Sequence, residues 1–106
     1  MFGRDRRQHA RTTHYCEAVI EGLDAGRAAC RVADIGLGGV FVEARTVLPP
    51  GTSALVRFGL VGRELSIPVE VRYSQTGYGM GLRFTRLSQQ DEAAIRAFLL
   101  TRAAGQ

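Results

Sequence analysis

Apolar and polar residues alternate most cleanly over Glu64–Tyr73. Leu65, Ile67, Val69, Val71 and Tyr73 share one face, and Glu64, Ser66, Pro68, Glu70 and Arg72 share the other. A period of two marks a half-buried strand. Pro68 cannot donate to a ladder, so an edge or a bulge is expected there. Weaker alternation predicts strands at Tyr15–Glu21, with Cys16, Ala18 and Ile20 inward, and at Ala28–Ile35, Val40–Ala44 and Ser53–Leu60. Gly79–Phe84 reads as a last strand with Met80, Leu82 and Phe84 inward. Turn chemistry separates these runs: Gly22–Gly26 with Leu23-Asp24-Ala25 between, the cluster Gly36, Gly38 and Gly39, then Leu48-Pro49-Pro50-Gly51 and Gln75-Thr76-Gly77.

After Phe84 the period changes. Ser88 suits a helix N-cap, with Asp91 and Glu92 in the first turn and Ile95, Phe98 and Leu99 at i, i+3, i+4. Arg102 sits near the C-terminal end, and Ala103–Gln106 is expected to fray. Six strands with short connections and one amphipathic helix make the fold mostly β, a small antiparallel barrel or closed sandwich with the helix over one opening or flank.

Composition narrows the picture. The 106 residues suffice for one domain, and 45% apolar with 23% charged residues excludes bulk disorder. No apolar run is long enough to span a membrane, and the polar, Arg-rich start lacks a secretory signal, so a cytoplasmic protein without membrane insertion is expected. All fourteen basic residues are Arg, and the net charge is +4. Residues 1–14 hold Arg4, Arg6, Arg7 and Arg11 against Asp5, so most of the excess charge sits on an N-terminal arm ahead of a nearly neutral body at 15–103. Such an arm suits an anionic partner. Cys16 falls opposite Val32 in a hairpin turning at Gly22–Gly26, not opposite Cys30, so two reduced, buried thiols are expected.

Nothing in the chain assembles catalytic chemistry. His9 and His14 lie in the arm without a paired carboxylate, and Ser53, Ser66, Ser74 and Ser88 lack a nucleophile-elbow context. The sequence reads as a non-enzymatic binding module with no metal and no cofactor. Two places can carry binding. One is Arg6-Arg7-Gln8-His9-Ala10-Arg11, whose guanidinium groups fit a phosphate or the O6/N7 edge of guanine and stack on purines. The other is Asp34-Ile35-Gly36-Leu37-Gly38-Gly39, where the carboxylate can accept from guanine N1–H and N2–H₂, and the glycines permit positive φ and close backbone approach.

Either motif alone is common. Together, Arg7–Arg11 as RxxxR before the first strand and Asp34–Gly39 after the second resemble the PilZ domain, whose second motif is [D/N]xSxxG. The turn at Leu48–Gly51, the strand Gly79–Phe84 and the closing helix also sit where that family has them. The resemblance implies a six-stranded antiparallel PilZ-type β-barrel with one C-terminal α-helix, acting as a receptor for cyclic di-GMP. It implies that Arg7 and Arg11 bind phosphates and guanines, that Asp34, Gly36 and Gly39 form the facing surface, and that Arg6 accompanies binding of an intercalated ligand pair.

One position departs from the family pattern. Gly36 stands where the family has Ser, which removes a hydroxyl hydrogen bond with a net worth of about 0.5–1.5 kcal/mol. The leading expectation is a receptor whose arm becomes ordered on cyclic di-GMP and relays the signal to an unidentified downstream protein. The alternative is a nucleotide-independent protein-interaction adaptor, which the missing hydroxyl favours. Nucleic acid is not the expected partner, because Phe58, Tyr73 and Phe84 fall on inward positions and leave only Phe2, Tyr15 and Tyr78 for stacking.

Overall fold

The computed structural model describes residues 11–22 and 26–104. Arg6, Arg7 and the turn at Leu23-Asp24-Ala25 therefore lie outside the described residues. Six strands, β1 (Arg11–Gly22), β2 (Gly26–Gly36), β3 (Gly39–Glu43), β4 (Ser53–Leu60), β5 (Arg63–Gln75) and β6 (Gly79–Phe84), precede a helix, α1 (Gln89–Ala104). The strands form a closed antiparallel barrel in the order β1-β2-β3-β6-β5-β4, sealed where Ala18 of β1 pairs with Phe58 of β4.

Alternation fills the barrel. Leu65, Ile67, Val69 and Val71 of β5 meet Val32, Val42, Val56, Phe58, Met80 and Leu82 inside, all buried. Closure leaves Pro68 on no edge. Its carbonyl accepts from the Thr85 amide, 2.9 Å away, just past the end of β6. A strand residue directs its N–H and C=O to the same neighbour, so the missing donor faces the end of that ladder and costs little.

The helix plugs one end of the barrel. Ser88 caps it, its Oγ accepting from the Asp91 amide at 3.0 Å, and Ile95, Phe98 and Leu99 are buried in the core. Arg63 at the start of β5 ties the first turn down through Asp91, 3.5 Å away, and Gln90. The helix continues to Ala104, two residues beyond the point where fraying was expected to begin. The β3–β4 connection crosses the opposite end, held by Ser74 Oγ donating to the Leu48 carbonyl and by the Gly51 amide donating to the Val71 carbonyl at 2.7 Å. Gly51 follows two prolines with φ 91°, the left-handed conformation that a Pro-Gly turn demands at its third position.

Two departures from the sequence expectation concern the strands. β1 starts at Arg11 rather than Tyr15, so Arg11 and His14 belong to the barrel and not to a leader ending at residue 14. His14 packs edge-on against Phe98 with ring centroids 4.7 Å apart. Tyr73 points outward, 52% exposed, because Arg72 is an extra residue in a bulge between the pairs Val71↔Leu82 and Tyr73↔Gly81. Cys16 does pair with Val32 and both cysteines are free thiols, but only Cys30 is buried as expected; Cys16 is half-buried. Burial pushes the Cys30 thiol up to about 11.

Candidate functional site

Strand register builds the site before any side chain is considered. Thr13 pairs with Asp34, Asp34 with Phe41, Phe41 with Gly81, and Gly81 with Tyr73. These five residues form one lateral row across β1, β2, β3, β6 and β5. Three bulges adjoin the row, between Thr13 and Cys16, between Val32 and Asp34, and between Val71 and Tyr73. Each interrupts an inward-facing alternation. Ala33 is extra against β3, so Asp34 escapes the interior parity of Cys30 and Val32, and Ile35 takes the buried place instead. Bulges commonly re-aim a side chain in this way.

The row opens into a cleft of about 650 Å³ on the outer face of the barrel. Its floor is Gly38, Gly39 and Gly81. One wall is aromatic: Phe41 stacks with Tyr73 at 6.2 Å between centroids and 25° between planes, and Phe41 meets Tyr78 at 5.5 Å. Tyr73 also lies over Gly81 so closely that a Cβ there would run into its ring. The far wall holds half-buried Asp34, with Thr13 and Ala33. Tyr15 stands beside them, its ring covered by the Arg31 guanidinium at 5.0 Å, and Arg31 donates in turn to Glu43 Oε1 at 2.6 Å. Arg72 and Arg83 complete the rim, and Arg83 is held by Glu70 at 2.7 Å.

The sequence-predicted residues distribute around this cleft. Asp34 and Gly39 line it. Gly36 is buried just beyond it and is the register partner of Arg11, so the C-terminal arginine of RxxxR enters the barrel beside the second motif. Gly38 and Gly39 do not use positive φ, contrary to expectation. Gly39 instead serves close strand packing, since a Cβ there would overlap the Leu82 carbonyl oxygen of β6. Sequence reading missed Phe41, Arg72 and Tyr73. Phe41 was legible, because it lies between inward Val40 and Val42 and must face out. Arg72 was likewise on the outward parity, but Tyr73 carried no such signal, as the bulge that exposes it is silent in the alternation.

Chemically, the cleft offers a carboxylate acceptor, guanidinium donors, flat aromatic faces and a glycine floor that lets a ligand reach the backbone. That set suits a planar, donor-rich, anionic ligand. Among the described residues no cluster of His, Cys, Asp and Glu could hold a metal ion, and no helix is long and apolar enough to cross a membrane.

Comparisons with known proteins agree with this architecture. The sequence profile of the PilZ domain matches residues 5–101. No curated protein matches in sequence. Among solved structures, the Bacillus subtilis inhibitor of motility (MotI/DgrA) superposes with a TM-score of 0.81 at 19% identity, covering 95% of this chain and 53% of its own. The present chain thus spans about half of that protein. The PilZ domain of CeSA from a cellulose-synthesizing bacterium gives 0.67 at 20% identity, covering 88% of this chain and 97% of its own. The PlzA protein of Borreliella burgdorferi, solved in complex with c-di-GMP, gives 0.64 at 15% identity over 78% of this chain and 32% of its own.

Proposed function

Because the chain belongs to the PilZ domain family, we infer that it is a receptor domain for cyclic di-GMP, bound at the outer cleft by the RxxxR segment and the Asp34–Gly39 motif. The observation that supports this reading is the pairing of Arg11 with Gly36, which sets the last residue of RxxxR beside the second motif, next to the cleft that Asp34 and Gly39 line. Asp34 is placed to accept from the guanine N1–H and N2–H₂ edge, and Tyr73 and Phe41 offer faces to a purine. Arg6, Arg7 and Arg11 supply the phosphate and O6/N7 donors, with Gly39 on the cleft floor and Gly36 just beyond it beside Arg11.

In this reading the protein does no chemistry on its ligand. Binding gathers the arginine segment onto the barrel and alters the surface offered to a downstream protein. Titration calorimetry tests it. Saturable heat with cyclic di-GMP is expected, lost in Arg7→Ala and in Arg11→Ala; no heat at a few hundred micromolar ligand, equivalent to about 5 kcal/mol of binding or less, overturns it. The absence of a hydroxyl at Gly36 favours a second reading, a nucleotide-independent adaptor. Recovery of one partner by the purified protein, unchanged by added cyclic di-GMP and without calorimetric binding, would select that reading.

A further inference from the structure

The bulge in β5 turns Tyr73 to the outer face beside Arg72, which is already outward by alternation. A regular strand through this region would place Val71 inward and Tyr73 in register with it. The extra residue gives two successive outward side chains opposite Gly81 instead of one. Both Arg72 and Tyr73 are exposed and line the cleft. The bulge therefore sets an aromatic ring next to the Arg72 guanidinium on the cleft rim.

Arg72 also differs from its neighbours in how its charge is used. Arg31 is engaged by Glu43, Arg83 by Glu70, Arg27 and Arg57 by Glu21, Arg63 by Asp91 and Arg96 by Glu92. Among the described residues, no carboxylate pairs with Arg72. A guanidinium left open on a cleft rim, next to a stacking surface, is arranged for an anion that arrives with a flat group attached.

Position decides which side of the ligand it meets. Asp34 on β2 and Arg72 on β5 stand at the two ends of the part of the row that crosses β3 and β6. The cleft lies between them. Resting on the receptor reading above, we propose that Arg72 is a barrel-borne ligand contact that grips a phosphate of cyclic di-GMP at the Tyr73 side of the cleft, across from Asp34.

The test is calorimetry on the full chain with cyclic di-GMP, at low and at raised sodium chloride, for wild type, Arg72→Gln, Arg72→Lys and Arg86→Gln. Arg86 is exposed, unpaired among the described residues and absent from the cleft lining, so it controls for the general loss of one positive charge. Arg72→Gln is expected to weaken binding five- to twentyfold and to flatten its salt dependence. Arg72→Lys should recover part of the loss, and Arg86→Gln should stay within twofold of wild type. Equal affinity of wild type and Arg72→Gln overturns the Arg72 assignment alone, as does an equal loss in Arg86→Gln. No binding by wild type overturns the receptor reading and this proposal with it.

Discussion

Asp34 and Tyr73 sit at two stations of a single lateral row of paired residues, although each falls on the inward parity of its own strand. A bulge beside each one turns it to the outer face, so the carboxylate and the phenol ring oppose each other across Phe41 and Gly81. The ring does two jobs there: it covers the bare backbone at Gly81 and presents a flat face to the cleft. Tyr73→Phe should therefore keep both fold and ligand affinity. Tyr73→Ala should still fold, with a modest drop in melting temperature, and should weaken cyclic di-GMP binding by about 1–3 kcal/mol, the usual worth of a base–aromatic stack. Calorimetry beside thermal melts checks this, and undiminished binding by Tyr73→Ala would remove the aromatic wall from the site.

Gly38 and Gly39 are adjacent in sequence but face different constraints. A Cβ on Gly39 meets the Leu82 carbonyl, with the Arg83 Cα 3.1 Å away, all of it backbone that cannot yield without parting β3 from β6. Nothing lies within 4 Å of a Cβ on Gly38, whose φ is ordinary. Gly39→Ala is expected to cost about 1–3 kcal/mol or more in urea denaturation, and Gly38→Ala to leave the midpoint nearly unchanged. Since Gly38 lines the cleft, a larger side chain there, as in Gly38→Val, should block the ligand without unfolding the barrel. A loss of binding in Gly39→Ala would not by itself identify a ligand contact.

Much of this fold was legible because most strand residues obey one rule. Leu65, Ile67, Val69 and Val71 alternate without interruption, and the Cys16–Val32 register followed from the position of the hairpin turn alone. What escaped was whatever the bulges govern. The shift at His14 and Tyr15 broke the alternation and hid the first residues of β1, so Arg11 was read as leader when it is strand. The extra residue at Arg72 left the pattern looking perfect while reversing Tyr73. Asp34 and Gly39 stood out as a motif, yet their surroundings depend on strands distant in sequence, whose order around the barrel no local pattern encodes.

The β4–β5 hairpin carries the one non-glycine residue with positive φ among those described. Val61 (φ 52°) and Gly62 (φ 75°) form its two-residue turn, flanked by the pair Leu60↔Arg63. Turns of this kind require both central residues to be left-handed and favour Asn-Gly. A β-branched side chain pays about 1 kcal/mol or more for that conformation, and Val61 is 79% exposed with no packing to compensate. Val61→Asn should therefore raise stability by about 1 kcal/mol. The denaturation midpoint should rise at unchanged m-value, with no effect on ligand affinity, because the turn lies outside the cleft lining. A lower midpoint would show that Val61 makes a contact that outweighs its strain.

His14 gives the barrel a pH-dependent joint with its helix. Packing against Phe98 desolvates the imidazole and lowers its pKa from the usual 6.5. The Arg102 charge lowers it further, while a hydrogen bond with the Gly59 carbonyl partly opposes both. The unfolded chain thus takes up a proton at a pH where the folded one does not. The stability contributed by neutral His14 is complete above pH 6.5 and is lost as pH falls from there through the lower folded-state value. Melting temperatures measured between pH 7.5 and 5.5, above the range where carboxylates dominate, should decline for wild type. In His14→Phe, which keeps a ring against Phe98 but cannot ionise, the decline should be shallower. An equally steep decline in both proteins would place the responsible group elsewhere. A rise in wild-type stability on acidification would mean that the protonated imidazole is favoured in the folded barrel, against the sign that desolvation and Arg102 require.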